Sequence, residues 1–247
     1  MNTCLIIPCF NEAERIQLDA FAFFLKSNQE MQLCFVDDGS TDATVTRLQR
    51  LVERYPNRIL IVKLDENVGK GEAIRRGAIQ LLEWTQAPFI GYFDADLSTP
   101  LEEAIPMLFY LKENQELKLV LGSRIKRMGA KVERNEGRHY IGRVFATFAS
   151  MLLNLPVYDT QCGAKLFRRS LVNELFQEKF LSRWLFDIEI IARMIRVYGR
   201  ENMASYLLEH PLQTWIEKGN SKIRWMDVMK VPFKLWQVYY HYFRRNK

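Results

Sequence analysis

Phe89-Ile90-Gly91-Tyr92-Phe93-Asp94-Ala95-Asp96 is a run of mostly apolar, β-forming residues that ends in two carboxylates one residue apart. A short continuous apolar run bounded by turn residues reads as a strand buried on both faces. Four other stretches have the same form: Cys4-Leu5-Ile6-Ile7-Pro8, Leu33-Cys34-Phe35-Val36-Asp37, Ile59-Leu60-Ile61-Val62 and Lys118-Leu119-Val120-Leu121-Gly122. Between them, helical spacing predicts helices over Glu12 to Leu25, Ala43 to Tyr55, Gly71 to Trp84 and Leu101 to Asn114. Ser40-Thr41-Asp42 and Ser98-Thr99-Pro100 supply helix-start signals. This alternation defines an α/β fold, a mostly parallel sheet covered on both faces by helices. Such sheets bind ligands at the carboxyl ends of their strands, where the strand order reverses. The residues to watch are therefore Cys9-Phe10-Asn11-Glu12, Asp37-Asp38-Gly39-Ser40 and Asp94-Ala95-Asp96.

Beyond Ser123 the pattern changes. The polar, glycine-bearing stretch from Arg124 to Arg138 reads as a mobile loop, and Tyr140 to Leu153 as an apolar helix. Asp159 to Phe167 and Ala204 to Glu209 read as extended, Phe186 to Tyr198 as helical, and the end as a helix from about Val231. No repeat, low-complexity tract or linker divides the chain, so residues 1–247 read as one domain.

Of the 247 residues 48% are hydrophobic and 26% charged, enough to bury a large core, which excludes a disordered chain and a disulfide-stapled mini-domain. The longest apolar run, Val144 to Leu153, contains Thr147 and Ser150 and falls short of the ~20 residues of a spanning helix. Met1-Asn2-Thr3-Cys4 lacks the basic start of a signal peptide, which predicts a protein kept inside the cell. Cys4, Cys9, Cys34 and Cys162 have no C-x-x-C spacing and read as buried reduced thiols. The net charge of +6 is concentrated between Glu217 and Lys247, where eight basic residues face two acidic ones. A basic end of this kind suits a phosphate-bearing ligand, a membrane surface or nucleic acid. No nucleic-acid-binding motif accompanies it, so no nucleic-acid partner is expected. Within that end, Val228, Val231, Leu235, Val238, Tyr239 and Tyr242 follow helical spacing beside a basic stripe of Lys230, Lys234, His241 and Arg245. The pattern fits an amphipathic helix in a headgroup layer and equally a helix packed on the core.

The paired aspartates Asp94 and Asp96 suit a hard divalent cation, Mg²⁺ or Mn²⁺, that shares a phosphate; they equally suit helix caps or solvated carboxylates. In Val36-Asp37-Asp38-Gly39-Ser40-Thr41-Asp42, capping accounts for Ser40 to Asp42 but not for Asp37 and Asp38, and Gly39 permits an unusual backbone angle. The polar side chains of Pro8-Cys9-Phe10-Asn11-Glu12 can hydrogen-bond a base or ribose in the same crevice. Gly69-Lys70-Gly71-Glu72 lacks the upstream Gly and the following Ser/Thr of a P-loop, which excludes that class of NTPase.

Ile6-Ile7-Pro8-Cys9-Phe10-Asn11-Glu12, the Val36 to Asp42 stretch, Asn67-Val68-Gly69-Lys70-Gly71 and Asp94-Ala95-Asp96, in that order, resemble the nucleotide-sugar half of family-2 inverting glycosyltransferases of the GT-A fold. Asp159-Thr160-Gln161-Cys162-Gly163-Ala164-Lys165-Leu166-Phe167, Arg183-Trp184-Leu185-Phe186-Asp187-Ile188-Glu189 and Trp215 through Lys222 resemble the dolichyl-phosphate β-glucosyltransferase branch and its polyprenyl-phosphate relatives. The resemblance implies a nucleotide-sugar-binding half over 1–123 and an acceptor-binding half with membrane-facing helices over 124–247. It implies that Pro8, Phe10, Glu12 and Asp37 bind the nucleoside and that Asp94 and Asp96 hold Mg²⁺ or Mn²⁺ on the diphosphate; Asn11, Lys70 and Asp94, in the same motifs, complete the expected nucleotide-binding set. Arg124 and Arg143 match positions that contact phosphates in those relatives, Lys222 matches a lysine near the diphosphate, and Asp159 and Asp187 match acidic positions of the sugar pocket; Arg124, Arg138, Arg143 and Lys222 are the candidates for phosphate and acceptor binding. With Asp96 and Arg124, those two acids form the implied catalytic set. Ser98 stands where mannosyl-transferring relatives place a Gln ligand, and Lys222 lacks a preceding Arg; the latter departure favours a glucosyl donor.

The expected activity is transfer of a hexose, glucose from UDP-glucose, to a polyprenyl phosphate on the cytoplasmic face of a membrane. A lipid phosphate is already anionic, so positioning and charge stabilisation outweigh general base catalysis. Two alternatives remain. The same fold acting on a saccharide hydroxyl would need a base, with Asp159 or Asp187 the suspect, and a silent nucleotide-sugar-binding membrane protein would need no chemistry at all.

Overall fold

Successive residues of a buried strand face opposite sides of the sheet, and Thr3–Cys9 (β1) divides the core in this way. Leu5 and Ile7 join Phe21, Phe24, Leu48, Met107 and Leu111 on one side, while Cys4 and Ile6 join Ala73, Ile74, Ala78, Ile188 and Ile191 on the other. The computed structural model describes residues 2–133, 136–218 and 231–244. The further strands are Met31–Asp37 (β2), Ile59–Lys63 (β3), Phe89–Tyr92 (β4), Leu119–Ser123 (β5), Lys131–Glu133 (β6), Lys165–Arg168 (β7), Leu207–Pro211 (β8) and Thr214–Ile216 (β9). The helices are Leu18–Ser27 (α1), Thr44–Arg54 (α2), Lys70–Trp84 (α3), Ala104–Glu113 (α4), Glu136–Leu153 (α5), Ser170–Leu175 (α6), Phe186–Tyr198 (α7), Met203–Tyr206 (α8) and Val231–Tyr239 (α9).

The main sheet has seven strands in the order β3-β2-β1-β4-β7-β5-β8. All pair in parallel except β7, which runs antiparallel between β4 and β5. From β1 the chain passes to β2 on one side and later returns as β4 on the other, so the crevice opens where β1, β2 and β4 end. The mostly parallel sheet between helices bears out the expected fold class.

Three local expectations are corrected. The first helix begins at Leu18 rather than Glu12, because the Glu12 and Ala13 N–H groups donate to Thr44 Oγ1 and Asp42 Oδ2 across the crevice (2.9 and 3.0 Å). The stretch read as a mobile loop holds β6, paired in parallel with β9, and the helix beyond it starts at Glu136; only Val132 of β6 is buried, so its charged neighbours mask the strand. The extended segment read from Asp159 shortens to β7, because Lys165 donates back to the carbonyls of Thr160 and Cys162 (3.0 and 2.8 Å) and closes a turn there.

The C-terminal helix is present as α9 followed by a π-helical turn, Tyr240–Arg244. Leu235, Val238 and Tyr242 of its expected membrane stripe are buried against the core, and the outward face carries Phe233, Trp236, Tyr239 and Tyr240. Among the described residues, no helix is long and apolar enough to cross a membrane.

Candidate active site

Two turns close over each other at the ends of β1 and β2. Asn11 takes a left-handed backbone, φ +51°; its N–H donates to Ser40 Oγ, and its own Oδ1 accepts from the Thr41 N–H, each at 2.9 Å. Asn tolerates this conformation better than most residues. Gly39 has φ +70°, and a Cβ there would lie 2.5 Å from the Glu66 carbonyl carbon, so the turn needs glycine. Pro8 and Phe10 are half-buried where β1 ends, and Glu12 is buried with Oε1 accepting from Arg15 (2.6 Å).

The adjacent aspartates have different tasks. Asp38 accepts the Val68 and Gly69 N–H groups (2.8 and 2.9 Å), which ties β2 to the loop ahead of α3. Burial raises its pKa, and those two bonds only partly counter this. Asp37 is fully buried, and neither carboxylate oxygen has a hydrogen-bond partner among the described residues. A buried carboxylate without donors is costly. It suits a ligand that brings N–H or O–H groups.

Beyond β4, Asp94 and Asp96 flank a tight turn in which the Leu97 N–H donates to the Asp94 carbonyl (3.2 Å). Asp94 Oδ1 pairs with Lys70 Nζ at 2.5 Å, and Asp96 Oδ1 accepts the Ser98 N–H at 2.9 Å. Burial works against the charge on Lys70, but Asp94, Asp187 and Asp96 outweigh it and raise its pKa. No group of three or more His, Cys, Asp or Glu side chains assembles among the described residues. A hard cation that keeps its waters and shares diphosphate oxygens needs only one or two carboxylates, so Asp94 and Asp96 fit Mg²⁺ or Mn²⁺. Gly163 backs this turn: a Cβ there would sit 1.9 Å from Asp94 Oδ2. Gly163→Ala is therefore expected to shift Asp94 and lower turnover about a hundredfold, measured beside a thermal melt that confirms folding.

Arg124 and Asp159 form a bidentate pair, Nε to Oδ2 at 2.7 Å and Nη2 to Oδ1 at 2.8 Å, and the Arg124 N–H also donates to Oδ2 (3.1 Å). Burial would raise the Asp159 pKa, but the guanidinium prevails and holds it at about 2. The Arg124 guanidinium lies 5.4 Å from the Trp215 ring centroid, and its Nη1 is the one nitrogen with no partner among the described residues. Glu209 on β8 fixes the preceding backbone by accepting the Tyr158 and Asp159 N–H groups (2.8 and 2.6 Å). Arg143 on α5 sits 3.7 Å over the Tyr158 ring and, with Thr147, Ser150 and Met151, lines a cavity of about 280 Å³. Asp187, at the start of α7, is buried, and its Oδ1 accepts both Tyr92 OH (2.5 Å) and Lys165 Nζ (2.6 Å).

The strand ends thus bring together Pro8, Phe10, Asn11, Glu12, Asp37, Lys70, Asp94 and Asp96, and the second half adds Arg124, Asp159 and Asp187. The Arg138 side chain and Lys222 lie outside the described residues. Sequence reading passes over Lys165, Tyr92 and Trp215 as individual site residues. A lysine within the apolar Ala164 to Phe167 run is the one signal that could have singled out Lys165.

The mostly parallel sheet with an acidic turn at its switch point is a GT-A-type fold, and the chain belongs to glycosyl transferase family 2, whose model matches residues 4–176. It is 30% identical over 200 residues to a dolichyl-phosphate β-glucosyltransferase of Dictyostelium discoideum, an alignment covering 76% of this chain and 60% of that protein. Dolichyl-phosphate β-glucosyltransferase ALG5C of Trichomonas vaginalis is 29% identical over 249 residues, covering 96% of this chain and 70% of its own. Glucosyl-3-phosphoglycerate synthase from Mycobacterium tuberculosis, crystallised with Mn²⁺, UDP and phosphoglyceric acid, shares the fold with a TM-score of 0.71 at 16% identity, covering 96% of this chain and 78% of that one.

Proposed function

We propose that the protein transfers glucose from UDP-glucose to the phosphate of a polyprenyl phosphate, with inversion at the anomeric carbon. The observation that carries this reading is that both acids suspected as bases hold cations, Asp159 with Arg124 and Asp187 with Lys165. A carboxylate held at a pKa of about 2 is a poor proton acceptor for a sugar hydroxyl. A phosphate acceptor needs no such base. Family membership and the names of the relatives support the same reaction class.

In this mechanism Asp37 accepts donor groups of the nucleoside, with Pro8, Phe10, Asn11 and Glu12 shaping that end of the crevice. Asp94 and Asp96 would hold Mg²⁺ or Mn²⁺, whose chemistry when bound is charge neutralisation on the diphosphate. Lys70, beside Asp94, adds a fixed cation on the leaving-group side. Arg124 through Nη1, with Arg143, holds the acceptor phosphate in line with the anomeric carbon. The phosphate oxygen forms its bond to that carbon as the bond to UDP breaks.

The acceptor's chain leaves towards α5 and α9. An apolar groove of about 370 Å³ lies between them, lined by Phe148, Met151, Leu152, Leu235 and Trp236, and Met151 also borders the Arg143 cavity. Phe233, Trp236 and Tyr240 form a stacked outward row with centroids 6.1 and 5.6 Å apart. Such aromatics suit the headgroup region of a membrane, and the protein acts there as a peripheral enzyme on the cytoplasmic face. Trp236, 57% exposed, tests this: Trp236→Glu is expected to weaken sedimentation with anionic vesicles about tenfold while UDP affinity stays unchanged.

The deciding experiment is a product assay with a short polyprenyl phosphate, Mg²⁺ or Mn²⁺, and UDP-glucose beside GDP-mannose and other donors, with mass spectrometry as readout. A metal-dependent glucosyl-phosphoryl lipid from UDP-glucose is expected. Donor binding without lipid product from any donor would point to another acceptor or to a silent binding protein.

A further inference from the structure

Lys165 has no solvent exposure, yet all three of its ammonium donors are committed: to the Thr160 and Cys162 carbonyls and to Asp187 Oδ1. It lies directly opposite Tyr92 in the antiparallel β4·β7 pairing, and both side chains converge on that one oxygen. The neighbours Ala164, Leu166 and Phe167 are buried and apolar, so packing alone does not call for a charge here. A buried ion pair is weak evidence for a stability role, since apolar replacements of similar volume often stabilise a protein as well or better. Asp187 Oδ2, in contrast, accepts no hydrogen bond from the described residues, and Asp187 lies close enough to Lys70 to act on its charge.

Resting on the nucleotide-sugar reading above, we infer that Lys165 is a positioning residue for donor-sugar recognition. With Tyr92 it occupies Asp187 Oδ1 and leaves Oδ2 as a fixed hydrogen-bond acceptor for one hydroxyl of the transferred sugar. Asp187 thereby selects the sugar and moves no proton.

The test is calorimetric binding of UDP, UDP-glucose and UDP-galactose in Mg²⁺ to the whole protein and to Lys165→Met and Tyr92→Phe, with melts to confirm folding. A sugar hydroxyl held by a carboxylate is worth roughly ten- to hundredfold in affinity. Lys165→Met is expected to bind UDP as the parent does and to lose most of the extra affinity for UDP-glucose and of the preference over UDP-galactose. Tyr92→Phe, which removes only one hydroxyl, is expected to show the same split more weakly. Parental UDP-glucose affinity and selectivity in folded Lys165→Met would overturn the inference. So would an equal fall for UDP and UDP-glucose, the mark of a merely structural role. If Lys165→Met does not fold, Tyr92→Phe decides by the same split. Because no acceptor is present, a parent that binds donor but glucosylates no polyprenyl phosphate sinks only the acceptor reading. A parent that binds neither UDP nor UDP-glucose overturns the donor reading and this inference together.

Discussion

Asp96→Asn is expected to reduce glucosyl transfer by about a thousandfold and to shift the melting temperature by no more than about 2 °C. The asymmetry follows from the local bonding. Asp96 makes one structural hydrogen bond, Oδ1 accepting the Ser98 N–H at 2.9 Å, and an asparagine carbonyl in the same place keeps it. What is lost is one negative charge at the strand end where, in the proposed mechanism, the donor diphosphate is neutralised. Asp94 alone leaves the cation a single carboxylate, one whose charge Lys70 already partly balances. A second readout separates this role from a general loss of function. In the parent, Mn²⁺ is expected to strengthen UDP binding measured by calorimetry, and in Asp96→Asn that metal-dependent increment should vanish while metal-free UDP affinity persists through Asp37. Undiminished turnover in the variant would falsify the proposed metal role.

The strand ends were legible because parallel strands buried on both faces leave long apolar runs, and the residues after each run have nowhere to go but the crevice. Asp37 and Asp38 were visible for that reason. Their division of labour was not, since Asp38 finds its donors at Val68 and Gly69, some 30 residues away in sequence, while Asp37 finds none among the described residues. The second half was harder because β7 enters antiparallel between β4 and β5. Only that insertion sets Lys165 opposite Tyr92, and no periodicity within the Asp159 to Phe167 segment announces it. Asp159 stands out in the sequence only through its motif, and its pairing with Arg124 is a contact between two loops that spacing does not encode. The C-terminal helix illustrates the same limit. Its apolar positions were evident, yet which of them meet the core and which meet solvent depends on Tyr242, whose hydroxyl is held by Arg193 and Glu189 on α7 (3.0 Å each).

The Arg124–Asp159 pair gives the sharpest stability prediction, because removing the cation inverts the pH dependence. In the parent, Asp159 has a pKa of about 2 against an ordinary 3.8. A carboxyl whose folded pKa is depressed stabilises the fold fully above its unfolded value, and the contribution fades as pH falls from about 4 towards 2; a shift of this size corresponds to about 2 kcal/mol. Between pH 4.5 and 7.5 the parent should therefore show no change in stability from Asp159. Arg124→Met keeps the stem over Trp215 but leaves a buried carboxylate without its guanidinium, a loss of roughly 3 to 5 kcal/mol at neutral pH. Burial then dominates and raises the Asp159 pKa above its unfolded value. The folded state now binds the extra proton, so stability is retained at low pH and falls as pH rises through the folded pKa. Urea denaturation should accordingly find a wider gap between variant and parent at pH 7.5 than at pH 4.5; an equal gap at both would mean that Asp159 is not the group left stranded. The double variant Arg124→Met/Asp159→Asn removes that charge and should recover much of the lost stability at pH 7.5. It should not recover transfer, because Nη1 of Arg124, the nitrogen assigned to the acceptor phosphate, is gone in both variants.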